Sequence, residues 1–202
     1  MAVQYLLFDL GKVLIDWEPA RLYRELIPDD VERTAFLRDI CSLEWHTNHD
    51  RGVSFADNAA QLVDQHPIYE QEILAWGERW FDMFDGYVEG TPELMDRLKA
   101  KGHSLYGLSN APSENWNGML ARFDYLQKFE DIVVSGFEDC VKPDPKIYKI
   151  ARERMGDPAP ESVLFIDDRK ENTDAAAALG FQVHTFKTAA GLETDLIDRN
   201  LL

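Results

Sequence analysis

The sequence predicts an α/β fold, a parallel sheet flanked by helices, with a bundle of helices inserted after the first strand. Three observations predict it. From about Gly90 onward, short apolar runs alternate with helical patterns, as βαβ units with right-handed crossovers require. Residues 19–88 have a different texture, with apolar residues only at helical spacing. Ahead of both, a short and mostly apolar run, residues 3–8, delivers a carboxylate, Asp9.

Taken in order, residues 3–8 read as a parallel strand buried on both faces. Asp9 then sits at a carboxyl end, where ligands of such sheets gather. Gly11 gives the backbone freedom to curl around it. In 19–88 the helical spacing is carried by Leu22 and Leu26, by Val31, Ala35, Phe36 and Ile40, by Phe55, Ala59 and Leu62, and by Ile73, Trp76 and Trp80. No strand-like alternation interrupts this segment. Within it, the run from Glu44 to Gly52 is denser in polar and aromatic groups than a helix face requires. One reading is a helix-ending turn closed by Gly52. The other is a substrate-facing loop with Trp45, His46 and His49 as contacts, although isolated histidines are more often structural. Residues 92–101 form a helix with Pro92 at its start and Gly102 past its end. A strand at 104–108 ends in Ser109-Asn110. A helix at 113–123 and a strand at 131–135 follow. Lys142-Pro143-Asp144-Pro145 precedes a helix at 146–155, and the strand at 162–166 ends in Asp167-Asp168. A helix at 173–179 closed by Gly180 and a strand at 182–185 complete the pattern. The expected domains are a sheet core, 1–18 with 89–202, and a helical insert, 19–88. No internal repeat or low-complexity tract is present.

The 202 residues suffice for one core and a small insert. The formal net charge of −16 leaves no basic footprint for nucleic acid. An acidic protein that handles anions needs local cations or a metal to overcome its own field. Cys41 and Cys140 lie far apart without metal-ligand spacing, as free thiols of a reducing compartment would. No apolar run reaches membrane-spanning length, and the chain enters a strand without a secretory leader pattern. These features predict a cytoplasmic protein, monomer or homodimer, with no nucleic-acid or membrane partner.

Polar residues follow three strand ends: Asp9, then Ser109-Asn110, then Asp167-Asp168, with Lys142 in a loop before a helix. Three carboxylates at one rim repel one another unless a cation sits among them. A few hard oxygen ligands, with the remainder left to water and substrate, is how Mg²⁺ is usually held. One carboxylate can double as nucleophile and divide a phosphoryl transfer into two steps. Ser109, Asn110 and Lys142 are then placed to hold phosphoryl oxygens.

The segments Phe-Asp-Leu-Gly-Lys-Val-Leu at 8–14, Leu-Ser-Asn at 108–110, Lys-Pro-Asp-Pro-Lys-Ile-Tyr at 142–148 and Phe-Ile-Asp-Asp at 165–168 resemble the four motifs of the haloacid dehalogenase-like hydrolase superfamily, in the right order. The insert resembles the helical cap of one branch. Residues 45–52 and the Asp167 to Asn172 stretch resemble the bacterial phosphatases that act on glucose 1-phosphate. The resemblance implies a Rossmann-like core with an inserted helical-bundle cap domain. It further implies Asp9 as nucleophile, Ser109 and Lys142 as phosphate binders, and Mg²⁺ held by Asp9, Asp168, Asp167 and the Gly11 carbonyl. Asn172 takes a supporting role. The implied substrate is a small phosphorylated metabolite, a sugar phosphate.

One departure bears on mechanism. Most phosphatases of that superfamily carry an aspartate two residues after the nucleophile, as acid and base, and this chain has Gly11. A general acid/base typically contributes about 10²–10⁴-fold. A sugar 1-phosphate needs less leaving-group protonation, and His46 or His49 in the cap, or a metal-polarised water, could supply the remainder. Two other readings stand beside the phosphatase: a non-catalytic phosphate-binding protein, and a 2-haloacid dehalogenase, which lacks the paired acids at the fourth motif.

Overall fold

The computed structural model describes residues 2–202. At its centre lies β1 (Tyr5–Phe8), paired in parallel on one side with β4 (Ser104–Ser109) and on the other with β6 (Val163–Asp167). Outer strands β5 (Asp131–Val134) and β7 (Gln182–Thr185) extend the sheet, giving the order β5-β4-β1-β6-β7, all parallel. The chain leaves β1 toward β4 and β5, then returns to the other side of β1 through β6. The crevice between β1 and β6 is therefore the topological switch point, where such sheets bind ligands.

The strands alternate their side chains between two apolar layers. Leu6, Phe8, Leu105, Leu164 and Ile166 pack on one face, with Leu94, Met95 and Leu98 of α6 (Thr91–Ala100) and Leu192 and Leu196 of α10 (Ala189–Asp198). Leu7, Leu108, Val133, Val163 and Phe165 pack on the other, with Ile147, Tyr148 and Ala151 of α8 (Pro145–Arg154) and Ala176 of α9 (Lys170–Ala178). Both faces are covered, which is why these strands read as apolar runs rather than alternations. Asp144 accepts the Lys146 N–H at 2.8 Å and starts α8, with Pro145 as its first residue.

The insert folds as α1 (Ala20–Leu26), α2 (Asp30–Asp39), α3 (Leu43–Asp50), α4 (Phe55–Gln65) and α5 (Glu70–Glu78). Side chains of Asp29, Ser42 and Ser54 cap α2, α3 and α4. Tyr23, Phe36 and Trp76 are fully buried and share one apolar cluster with the sheet face that carries Leu6 and Phe8.

Five elements differ from the sequence expectation. β2 (Ile15–Trp17) and β3 (Phe84–Tyr87) form a two-stranded antiparallel ribbon at the two crossings between core and insert. β3 lies inside 19–88, where no strand was expected. It has four residues with one buried, and Gly86 takes φ +74, so alternation had nothing to register in. The C-terminal α10 was not anticipated either; only Leu192 and Leu196, one turn apart, bury its face. α7 (Trp116–Arg122) begins three residues later than its pattern suggested, and α9 begins three residues earlier. Among the described residues, no helix is long and apolar enough to cross a membrane.

Candidate active site

Four strand-end or loop segments bring their polar groups to the crevice. Asp9 follows β1, Ser109 ends β4, Asp167 ends β6, and Lys142 enters from the loop before α8. All four are buried. The Lys142 ammonium lies 2.8 Å from Asp9 Oδ1 and 2.7 Å from Asp167 Oδ2, and donates to the Leu108 carbonyl at 2.8 Å. Asn110 fixes the Lys142 backbone from both sides: its Oδ1 accepts the Lys142 N–H at 2.8 Å and its Nδ2 donates to the Lys142 carbonyl at 3.0 Å. The Lys142-Pro143 peptide is cis.

Asp167 is an anchor. Both its oxygens accept from Asn172 Nδ2 at 3.0 Å, and Oδ1 also accepts the Arg169 N–H at 2.8 Å. Together with Lys142, these bonds occupy the carboxylate completely. Asp168 is half-buried beside it and lines the cavity, as does Gly11. A Cβ added at Gly11 would meet nothing within 4 Å.

Carboxylate oxygens of Asp9, Asp167 and Asp168 approach within 4.8 Å of one another. Three carboxylates crowd one ammonium there, with Lys12 and Arg169 as further positive charges acting on Asp168. The acids register this crowding. Burial raises the Asp9 carboxyl above its ordinary range, with Lys142 pulling it down and the Asp167 and Asp168 charges pushing it up. Burial, then the Asp167 charge, likewise raise Asp168. Burial opposes the Lys142 ammonium, but Asp167 and Asp9 outweigh it and raise its pKa. A cluster of hard, acidic oxygen donors fits a divalent cation such as Mg²⁺.

Above these groups opens a cavity of about 270 Å³, walled by core and insert. The insert contributes His46, Thr47, Asp50 and Trp80, and the core contributes Trp17 and Asn115, among others. Lys12 and Arg169 line it with Lys142, giving the acidic chain the local cations that anion binding needs. The indole Nε1 of Trp17 and the Nδ2 of Asn115 are buried with no hydrogen-bond partner, as is Asp50 Oδ1.

Of the residues anticipated in the cap, the structure brings only His46 to the cavity. Trp45 and His49 do not line it; they pack edge-on against each other, with ring centroids 4.9 Å apart. Trp45 donates to the Asn58 carbonyl at 3.4 Å. His49 is held as a neutral tautomer: Nε2 accepts from Asn58 at 3.0 Å and Nδ1 faces the Val53 carbonyl at 3.4 Å. Burial, with the neighbouring His46, depresses its pKa to about 3. His46 is also neutral. Its Nδ1 accepts from the Trp76 indole at 3.2 Å, and burial depresses it to about 3. Each imidazole accepts a hydrogen bond at one ring nitrogen and keeps its single proton on the other, the neutral form that is a poor proton donor. Trp17, Trp80 and Trp116 line the cavity.

Sequence reasoning missed Asp50, Asn115, Lys12 and Arg169 as cavity residues. Asp50 left one signal, an acidic group in the last turn of a helix, where the dipole disfavours it.

Comparison with known proteins accords with this geometry. The chain is 27% identical over 175 residues to a sesquiterpene phosphatase of Aspergillus oryzae, covering 86% of this chain and 85% of that one. It is 26% identical over 185 residues to a phosphorylated carbohydrates phosphatase of Thermotoga maritima, covering 89% and 83%. The fold superposes with a TM-score of 0.72 on a haloacid dehalogenase family enzyme of Bacteroides thetaiotaomicron, solved in complex with magnesium and inorganic phosphate. Identity to that enzyme is 23%, with 93% of this chain and 96% of that one covered. The family model for haloacid dehalogenase-like hydrolases matches residues 3–180. This chain belongs to the haloacid dehalogenase-like hydrolase family.

Proposed function

We propose that the chain is a Mg²⁺-dependent phosphomonoester hydrolase that works through an aspartyl-phosphate on Asp9, with a small sugar phosphate as substrate. One observation carries the reading: a buried ammonium bridges Asp9 and Asp167 on the floor of a cavity that Ser109 also lines. The Asp9 oxygen attacks phosphorus and the ester oxygen leaves. Lys142 and the Ser109 hydroxyl stabilise charge on the non-bridging oxygens, and Asn110 and Asp167 keep Lys142 in place. Asp9, Asp168 and the Gly11 carbonyl would hold Mg²⁺, which supplies charge neutralisation at the phosphoryl group. Asp167 holds Lys142 and sits in the same carboxylate cluster, near the cation position.

The substrate class rests on the cavity. Its small volume suits a small metabolite, and the aromatic walls Trp17, Trp80 and Trp116 suit the faces of a sugar ring. The unpartnered donors on Trp17 and Asn115 suit hydroxyl oxygens. In this reading residues 19–88 serve as the cap, and 1–18 with 89–202 as the catalytic core. The two named relatives are both phosphatases, one of phosphorylated carbohydrates, which supports the same chemistry. The test is phosphate release from hexose and pentose phosphates, glycerol phosphates and a prenyl phosphate, with Mg²⁺ and with chelator. The expected result is Mg²⁺-dependent release, fastest from sugar phosphates. Absence of release from every ester, with inorganic phosphate still bound, would identify a binding protein instead.

A further inference from the structure

Hydrolysis in two steps needs one group that gives a proton to the departing ester oxygen and then takes one from water. Most groups of the site are unavailable for it. Asp9 must be a carboxylate to attack. Both Asp167 oxygens are occupied, and Asp168 faces the cation position. Lys142 is fixed by three acceptors, the Leu108 carbonyl, Asp9 and Asp167. His46 is ringed by Trp17, Trp76 and Trp80 at centroid distances of 5.4, 5.3 and 5.2 Å, and with its Nδ1 accepting from the Trp76 indole it is held as the neutral imidazole, a poor acid. Gly11 has no side chain.

Asp50 remains. It lies at the C-terminal end of α3, is 6% exposed and lines the same cavity as Asp9, Ser109 and Lys142. Its Oδ1 is buried with no hydrogen-bond partner, and the nearest cationic-capable atom, His46 Nε2, is 3.4 Å away. A carboxylate at the negative end of a helix, without a hydrogen bond to that oxygen, is a costly arrangement that a fold does not need. Burial pushes the acid up to about 7, against the pull of Lys142, Arg169 and Arg51, so both protonation states are accessible near neutral pH. Its position is fixed from the core side. Ser135 Oγ donates to the Asp50 carbonyl at 2.6 Å, and Gly52, at φ +93, leaves only 2.9 Å between a would-be Cβ and the Gly136 carbonyl oxygen.

We propose that the Asp50 carboxyl is the proton donor to the leaving oxygen and the proton acceptor from the attacking water. The proposal rests on the phosphomonoesterase reading above. In the first step an Asp9 oxygen bonds to phosphorus, the ester P–O bond breaks, and its electron pair takes the Asp50 proton, releasing the alcohol. In the second, water bonds to phosphorus while Asp50 accepts its proton. The P–O bond to Asp9 breaks, the pair returns to the carboxylate, and inorganic phosphate leaves. Because α3 belongs to the insert, the donor comes from a different part of the chain than Asp9, Ser109 and Lys142.

The experiment compares phenyl phosphate, a poor leaving group, with p-nitrophenyl phosphate, a good one, for wild type, Asp50→Asn and Asp50→Ala, each with Mg²⁺. Asp50→Asn should lower turnover of phenyl phosphate by about 10²–10⁴-fold. With p-nitrophenyl phosphate it should instead give a burst of one nitrophenolate per enzyme and then slow turnover, because only the second step still needs the base. Added formate should restore part of the Asp50→Ala activity in proportion to its concentration, whereas formamide should not. Equal losses with both esters, no burst and no formate rescue would make Asp50 a structural residue and overturn the proposal. So would an unchanged Asp50→Asn. A wild-type enzyme inert toward both aryl esters and toward every ester of the metabolite panel overturns the phosphatase reading itself, and this proposal with it.

Discussion

Lys142 is the residue on which the site's electrostatics turn, since its single charge faces Asp9 and Asp167 at 2.8 and 2.7 Å with both carboxylates buried. Removing one member of a buried, bonded set leaves uncompensated charge, typically costing about 3–5 kcal/mol. Lys142→Ala should therefore lower the unfolding free energy by about that amount in urea titrations, and saturating Mg²⁺ should recover part of it. Ser109 offers the opposite contrast. Its hydroxyl lines the cavity without holding the fold, so Ser109→Ala should leave the melting temperature nearly unchanged and lower kcat by about 10²–10³-fold, the usual effect of losing one oxyanion donor. His49 gives a pH signature. Its folded pKa is depressed to about 3 against 6.5 unfolded, so its contribution is complete above pH 6.5 and is lost as pH falls toward 3. Asp9 and Asp50 are shifted upward, and their contributions run the other way, lost as pH rises through the folded values. The total pH profile mixes these signs, but a difference isolates one. The stability gap between wild type and His49→Gln should shrink by about 1.4 kcal/mol per pH unit below 6.5. A gap independent of pH would show that His49 is not held neutral.

At the scale of elements, α3 does the positioning. Ser42 caps its start, Asp50 ends it, and Gly52 turns the chain against the loop after β5. Gly52→Ala combines an unfavourable φ with a backbone collision and should cost about 1 kcal/mol or more, measured as a lowered melting temperature. The strand ends were the most legible part of the sequence. An apolar run that stops at a carboxylate or at Ser-Asn announces both a buried strand and the rim residues beyond it, as in β1, β4 and β6. The ribbon of β2 and β3 was not legible, because three- and four-residue strands carry too few side chains to show a period. The helical insert was legible as helices, from Phe36, Leu62 and Trp76 at their spacings, but not in its orientation. Trp45, His46, His49 and Asp50 occupy one short helix, and the sequence does not say which of its sides meets the sheet. Tertiary packing decided that His46 and Asp50 face the cavity while Trp45 and His49 pack away from it.

On the scale of the whole molecule, the net charge is −16, so the proposed anion site depends on the cations that line the cavity where the sheet changes direction. Lys12, Lys142 and Arg169 line the cavity, and the oxygens of Asp9, Asp167 and Asp168 cluster within 4.8 Å of one another beside them, a set that suits a divalent cation. One apolar cluster runs from the sheet into the insert, so closure of the insert over Asp9 is built into the core rather than added to it. The central claim is that Asp9 becomes covalently phosphorylated during turnover. The most direct measurement is to quench the enzyme in acid during steady-state hydrolysis of p-nitrophenyl phosphate with Mg²⁺, digest it, and locate the phosphoryl group by mass spectrometry. The account predicts one phosphoryl group on the peptide that contains Asp9, absent in Asp9→Asn along with turnover. Sustained phosphate release by Asp9→Asn, with no labelled peptide in the wild type, would contradict it.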